Sequence, residues 1–331
     1  PGGAEILFFT TGDDEQSAIA AYFNALDAGA DLMIGPLRRE SVEAMLNLAG
    51  MSTPMLALNE LPPGFVVPPG LAGQVTAISF SQDKEAAAIA RHAAEAGYQN
   101  AMLLAPEDAW GERIAYAIES EFLQDDRQIV AAARFLPSQN DHSSDLERLL
   151  RIDESKARKQ QLQNTLQMPL EFEPVRRQDI DVIFLAANSA QARLLRPQLK
   201  FHDAGDIPVY ATSRIYTGQP NPARNQDLNG MRFPATPWEL QHPRRNSIPS
   251  LASIRKGTLG TLFALGQDAW NLLPWIDLIK KDPDFVFPGE SGDFRSENSD
   301  NLHREPAWAE FRGGLPVALT LPEAAEPAGD R

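Results

Sequence analysis

The sequence predicts an α/β protein made of two doubly wound, parallel-sheet lobes with a cleft between them. Short β-rich runs alternate with helix-patterned stretches throughout the chain, an order that requires crossover connections and buries the strands on both faces. The same strand–helix order occurs once before Ser79 and again after it, without a sequence repeat. At 331 residues the chain also exceeds one ordinary domain, which holds roughly 100 to 200 residues.

Ile6-Leu7-Phe8-Phe9 reads as a strand, followed by a helix with Ile19, Tyr22, Phe23 and Leu26 on one face. The unit recurs as strand Leu32–Ile34, a helix carrying Val42, Met45, Leu46 and Ala49, and strand Met55–Leu58. Leu61–Gly73 is crowded with proline and glycine and reads as a surface loop. Strand Val75–Phe80 leads into a helix over Asp83–Ala96 that Gly97 closes. Next come strand Ala101–Ala105, a helix with Ile114, Ile118 and Phe122, and strand Ile129–Phe135. Ser144–Met168 reads as two helices, with Leu146, Leu149 and Leu150 followed by the basic cluster Lys156, Arg158 and Lys159 and by Leu162 and Leu166. Val182–Ala186 is a buried strand, Ala190–Leu199 its following helix, and Pro208–Ala211 and Met231–Phe233 are short strands. Thr258–Ile279 is an apolar helix that Pro274 kinks or splits, and Ala324–Arg331 is a frayed tail.

Composition narrows the function. With 30 basic against 45 acidic residues the net charge is −15, a field that repels nucleic acid and anionic lipid. No apolar run approaches the roughly 20 residues of a membrane span. There is no cysteine, so disulfides and thiolate chemistry are excluded. The five histidines, His92, His142, His202, His242 and His303, are scattered and form no metal-binding pattern. No nucleophile elbow or phosphate loop is present. The expectation is therefore a binding protein without catalysis, metal or cofactor. Acidic clusters such as Asp13-Asp14-Glu15 and Asp125-Asp126 could bind a divalent ion, but a solvated charge run near a helix end is the commoner case. The first residue is Pro1, so the chain is expected to be part of something longer, with any targeting signal outside it.

In open α/β sheets ligands bind beyond the carboxyl ends of the strands. Those ends supply Gly35, Pro36, Asn59, Glu60 and Ser81 in the first lobe, and Trp110, Asn188, Ser189, Thr212 and Ser213 in the second. Their hydroxyl and amide groups suit a carboxylate or amide ligand. The same residue types serve equally as turn and helix-capping residues. The arginine pairs Arg38-Arg39, Arg176-Arg177 and Arg244-Arg245 either grip an acidic partner or pair locally. Glu171–Asp181, a polar run directly before a buried strand, either fixes that strand's entry by charge pairing or presents a docking surface.

Several motifs resemble the LppC/LpoA family of outer-membrane lipoproteins: Glu171–Pro174, Arg176–Ala187, Gln191–Leu199, Pro208–Ser213, Asn225–Gly230 and Pro237-Trp238. A looser likeness runs through Ile34–Leu37, Leu58-Asn59, Trp110-Gly111 and Gly289–Gly314. The resemblance implies a type I periplasmic-binding-protein-like fold, with one lobe from residues 1–79 and 234–288, a second from 80–233 and 289–320, and a flexible tail at 321–331. The family fold begins with a strand and helix ahead of the stretch that Ile6–Thr10 resembles, so lobe 1 is expected to lack them. It further implies a periplasmic protein, lipid-anchored to the outer membrane at an N-terminus absent from this chain, that activates a class A (bifunctional) penicillin-binding protein by contact. The alternative is a periplasmic solute receptor holding an amino acid or wall-derived peptide, a small cleft ligand, between the lobes.

Overall fold

The structure, a computed structural model, describes residues 5–48, 53–61, 64–65, 67, 73–240, 257–298 and 300–319. Its contacts divide the chain into two compact units. The first takes the described residues up to Ser81, Thr236–Leu240, and Leu259–Pro306; the second takes Gln82–Ala235 and resumes at Ala307.

The first unit opens with α1 (Glu15–Asp27), β1 (Met33–Ile34), α2 (Arg39–Leu46), β2 (Met55–Ala57) and β3 (Val75–Ala77). The three strands form a parallel sheet in the order β1-β2-β3. Side chains alternate across it. Met55 and Ala57 pack with Tyr22 and Ala25 of α1 and Val42 and Met45 of α2, while Leu56 packs on the opposite layer described below. Asp14 caps α1 by accepting from the Ser17 N–H at 2.7 Å, and Asp13 pairs with Arg38 at 2.6 Å.

The expected strand Ile6–Phe9 does not form. These residues are exposed, Phe8 at 91%, and among the described residues β1 has only β2 as a strand partner. A β-rich run becomes a strand only where an edge receives it, and none does here.

The second unit begins with α3 (Gln82–Glu95), β4 (Asn100–Pro106), α4 (Ala109–Phe122), β5 (Gln128–Phe135), α5 (Ser143–Leu149) and α6 (Ile152–Leu166). It continues with β6 (Val182–Leu185), α7 (Ser189–Phe201), β7 (Val209–Ala211), α8 (Pro222–Asn225) and β8 (Met231–Ala235). The chain then enters α9 (Pro237–Leu240), α10 (Gly257–Leu272), α11 (Ile276–Lys281), β9 (Phe287–Pro288), β10 (Asp293–Ser296) and β11 (Leu302–Glu305), and closes with β12 (Ala307–Arg312) and β13 (Leu315–Ala318). The helix expected over Thr258–Ile279 is thus divided around Pro274.

The large sheet runs β13-β12-β8-β7-β6-β4-β5. β5, β4, β6, β7 and β8 are parallel, and β12 and β13 add an antiparallel edge. One face of β4, through Ala101, Leu103 and Ala105, packs on Ile114, Ile118 and Phe122 of α4 and Ile89 of α3. Fully buried strands of this kind read as continuous apolar runs, which is why Val182–Leu185 was legible.

In the first unit, α10 and α11 bring Leu265, Ala269, Leu272 and Ile279 against Leu56, Ile78, Phe294 and Leu302. The sequence reading carries the chain into the second lobe at residue 289, but residues 289–306 group with the first unit. β10 pairs with both β9 and β11 and buries Phe294 in this layer. Asp268 of α10, 1% exposed, accepts the N–H groups of Glu290 and Ser291, each at 2.7 Å. Arg304 of β11 donates to the carbonyls of Ser79 at 3.3 Å and Ser291 at 2.8 Å, and its guanidinium lies 4.2 Å from the centre of the Phe80 ring. Arg244-Arg245, His242 and the tail 321–331 lie outside the described residues.

Candidate functional site

In the second unit the predicted residues collect at the carboxyl ends of β4, β6 and β7. After β4 the chain turns sharply. Asp108 accepts from the Gly111 N–H at 2.7 Å and starts α4, and a Cβ on Gly111 would lie 2.0 Å from the Pro106 carbonyl oxygen. Only glycine permits that approach. The turn sets Trp110 half-buried, with its indole N–H donating to Gln82 at 2.6 Å and the Arg214 guanidinium 4.2 Å from its ring centre. Arg113 pairs with Asp83 at 2.8 Å alongside.

β6 ends in a capping box. The Asn188 side chain accepts from the Ala190 and Gln191 N–H groups, both at 3.0 Å, and Gln191 returns the contact by accepting from the Asn188 N–H at 2.9 Å. Beside it, at the end of β7, the buried Thr212 hydroxyl donates to the Ala187 carbonyl at 3.1 Å. The Ser213 N–H donates to the Glu85 carboxylate at 2.9 Å. The side-chain hydroxyls of Ser189 and Ser213 make no hydrogen bond among the described residues.

In the first unit the predicted residues also adjoin one another. Gly35, at φ +116°, donates to the Leu56 carbonyl at 2.9 Å, and the Pro36 carbonyl accepts from Leu58 at 3.1 Å. The Asn59 amide donates to the Leu37 carbonyl at 2.7 Å, while its oxygen accepts from the Glu60 N–H at 2.9 Å. Ser81 is the last residue of this unit. Each unit therefore gathers its own candidates, and most of their polar atoms already serve the local backbone.

The sequence reading missed Gln82, Glu85 and Arg214. Arg214 directly follows Ser213, and Glu85 lies in the first turn of α3. Neither position announces a partner brought in by the sheet order. No group of three or more His, Asp or Glu residues suited to a metal ion occurs among the described residues, and no helix among them is long and apolar enough to cross a membrane.

The polar run before β6 is also resolved. Arg177 donates to both Asp179 oxygens, at 2.6 and 2.7 Å, and to the Val130 carbonyl at 2.9 Å. Arg176 donates to Asp206 at 2.9 Å and the Asp203 carbonyl at 2.6 Å. Asp181 accepts from the Gln99 and Asn100 N–H groups at 3.1 and 2.9 Å. Of its two readings, the charge pairing that fixes strand entry is the one these bonds describe. An open surface cavity of about 550 Å³ lies beside it, lined in part by Glu173, Arg176, Lys200 and Asp206.

The chain matches the family described as LppC putative lipoprotein over residues 9–314. Penicillin-binding protein activator LpoA of Vibrio antiquarius (strain Ex25) is 29% identical over 300 residues, covering 88% of this chain and 48% of that protein. The protein of the same name from Photobacterium profundum is 28% identical over 315 residues, covering 93% and 49%. The chain thus spans about half the length of these curated relatives. Among solved structures, the C-domain of LpoA (YraM) from Haemophilus influenzae, described as a regulator of PBP1A, superposes with a TM-score of 0.65 at 18% identity, covering 93% of this chain and 87% of that one. A putative branched-chain amino acid ABC transporter protein from Chromobacterium violaceum ATCC 12472 gives a TM-score of 0.66 at 24% identity, covering 91% and 86%. At such identities the likeness concerns fold alone, and the fold is the expected α/β, periplasmic-binding-protein-like one.

Proposed function

Because the chain belongs to the LppC putative lipoprotein family, we propose that it activates a class A, bifunctional penicillin-binding protein by protein–protein contact and catalyses nothing itself. In this reading it works in the periplasm as part of a longer protein held to the outer membrane by an N-terminal lipid. Activation then requires tighter binding to the active synthase conformation than to the inactive one.

The observation that carries this reading over a solute receptor is the engagement of the strand-end side chains. A receptor needs convergent donors and acceptors left free for its ligand. Here Asn59, Trp110, Asn188 and Thr212 are bonded to neighbouring groups of their own unit, and the hydroxyls of Ser189 and Ser213 alone are a poor set of donors for a carboxylate or amide ligand. Such bonded side chains brace the unit they belong to and leave docking to its outer surface.

The test is a purified synthase assayed for peptide crosslinking with and without a longer protein containing this chain. The reading expects binding and a faster crosslinking rate, and neither would be seen if it is wrong. A thermal-shift series with amino acids and muropeptides separates the alternative, because a ligand that binds only the folded state raises the melting temperature. No such rise is expected.

A further inference from the structure

The parallel sheet of the first unit has one open edge, at β1. Met33 and Gly35 donate to the carbonyls of Pro54 and Leu56, each at 2.9 Å, so Ile34 between them turns its own N–H and carbonyl away from β2. No described residue receives either group. Ile34 is 40% exposed, and Leu32 and Leu37 on either side of it are exposed as well. A bare apolar edge of this kind is a template for another strand.

A second strand-like surface stands beside it. Residues 6–9 are apolar and exposed, and they pair with no described strand. Asp13, which follows them, is held at 2.6 Å by Arg38, which follows β1. Both segments then enter helices that cover the same face of the sheet, through Tyr22 and Ala25 of α1 and Val42 and Met45 of α2. Residues 6–9 and β1 thus leave the sheet at the same end and in the same sense, as strands of one parallel sheet do, yet no hydrogen bond joins them. Phe23 of α1, next to the buried Tyr22, is 50% exposed, so this helix also carries apolar surface with nothing on it.

We infer that a strand from the polypeptide ahead of this chain in the longer protein lies between residues 6–9 and β1, parallel to both. Its backbone meets Ile34 on one side and residues 6–9 on the other, so one strand turns two unpaired edges into interior ladders. Flanked on both sides and covered by α1, it is an uncharged run of about five residues rich in valine, isoleucine or leucine. Length and path argue its source. The chain spans about half the length of its curated relatives, and the residues before α1 belong to the first unit while β13 belongs to the second. A second copy of the chain fits the gap poorly, because its own residues 6–9 are tied through Asp13 beside their own β1. The inference stands whether or not the protein activates a synthase.

The experiment measures amide hydrogen exchange, residue by residue, in a longer protein containing this chain and in the 331-residue chain. In the longer protein the Ile34 amide is expected to exchange as slowly as those of Met33 and Gly35. The amides of residues 6–9 are expected to exchange at least tenfold more slowly there than in the 331-residue chain. Ile34→Pro removes the outward N–H and spares both bonds to β2, and it is expected to lower the melting temperature of the longer protein, as is Phe8→Glu. Tyr116→Glu on α4, 72% exposed, is expected to leave it unchanged. If Ile34 exchanges fast in the longer protein while Met33 and Gly35 are protected, the edge is open and the inference fails. Protection of Ile34 that grows with protein concentration would assign the edge to a second copy and overturn it as well. The comparison of Ile34 with its two neighbours needs neither a substitution nor the shorter chain, so it decides even where those do not fold.

Discussion

Arg177 and Asp179, two residues apart, close a doubly hydrogen-bonded ion pair at 2.6 and 2.7 Å, while a third guanidinium nitrogen holds the Val130 carbonyl at 2.9 Å. The pair ties the irregular lead-in of β6 to β5, with Arg177 only 10% exposed at its side chain. Arg177→Ala should therefore cost about 1.5–3 kcal/mol, the range for hydrogen bonds to charged groups. Urea denaturation reads it directly.

The same pair makes stability depend on pH. The hydrogen bond from Arg177 holds the Asp179 carboxyl below its ordinary value. Its stabilisation is full above the unfolded carboxylate value of about 3.9 and is lost as pH falls through the lower folded value. Asp179→Asn should thus be less stable than the parent at pH 7, with the gap narrowing toward pH 2. A gap that stays constant would show that the charge contributes nothing.

Gly111→Ala should destabilise the second unit by about 3 kcal/mol or more, at the upper end of overpacking costs. The added carbon would sit 2.0 Å from the Pro106 carbonyl oxygen, so the turn that places Trp110 must open. Indole fluorescence should shift along with the lowered denaturation midpoint.

Asn188→Ala removes the capping box at the start of α7 and should cost about 1 kcal/mol. Under the activator reading, synthase binding stays unchanged. A loss of binding larger than the loss of stability would return Asn188 to the functional surface.

Buried Asp268 offers a further test. Burial pushes its carboxyl up, yet both oxygens accept backbone N–H groups. An asparagine would turn one acceptor into a donor facing an N–H. Asp268→Asn should therefore cost about 1–3 kcal/mol, the penalty for an unsatisfied buried group, despite removing a buried charge. Thermal denaturation with the unsubstituted chain as reference checks it.

What the sequence revealed follows from which signals are local. The apolar run Val182–Leu185, the helix stop at Gly97 with its φ of +88°, and the division at Pro274 are set by residues within one element, and each is found where the pattern puts it. Ile6–Phe9 has the composition of a strand, but pairing depends on a distant partner that composition does not contain. Residues 289–306 could not be assigned from pattern either, because β10 joins its sheet through β9 and β11. At the site, Asn188 and Thr212 were legible as polar strand-end residues. That they serve the backbone, and that Arg214 covers Trp110, depends on neighbouring strands of the sheet.

Arg304 links the register of a hairpin to the path of the chain. Side chains alternate faces along a strand, so a one-residue slip of β11 against β10 would turn Arg304 to the other side. It would then release Ser79, Ser291 and the Phe80 ring together. The departure of the chain after Ser79 is accordingly indexed to the pairing of Arg304 with Phe294, more than two hundred residues later in the sequence. An insertion or deletion inside that hairpin would be felt at Phe80 as a change of direction, even with every residue between them untouched.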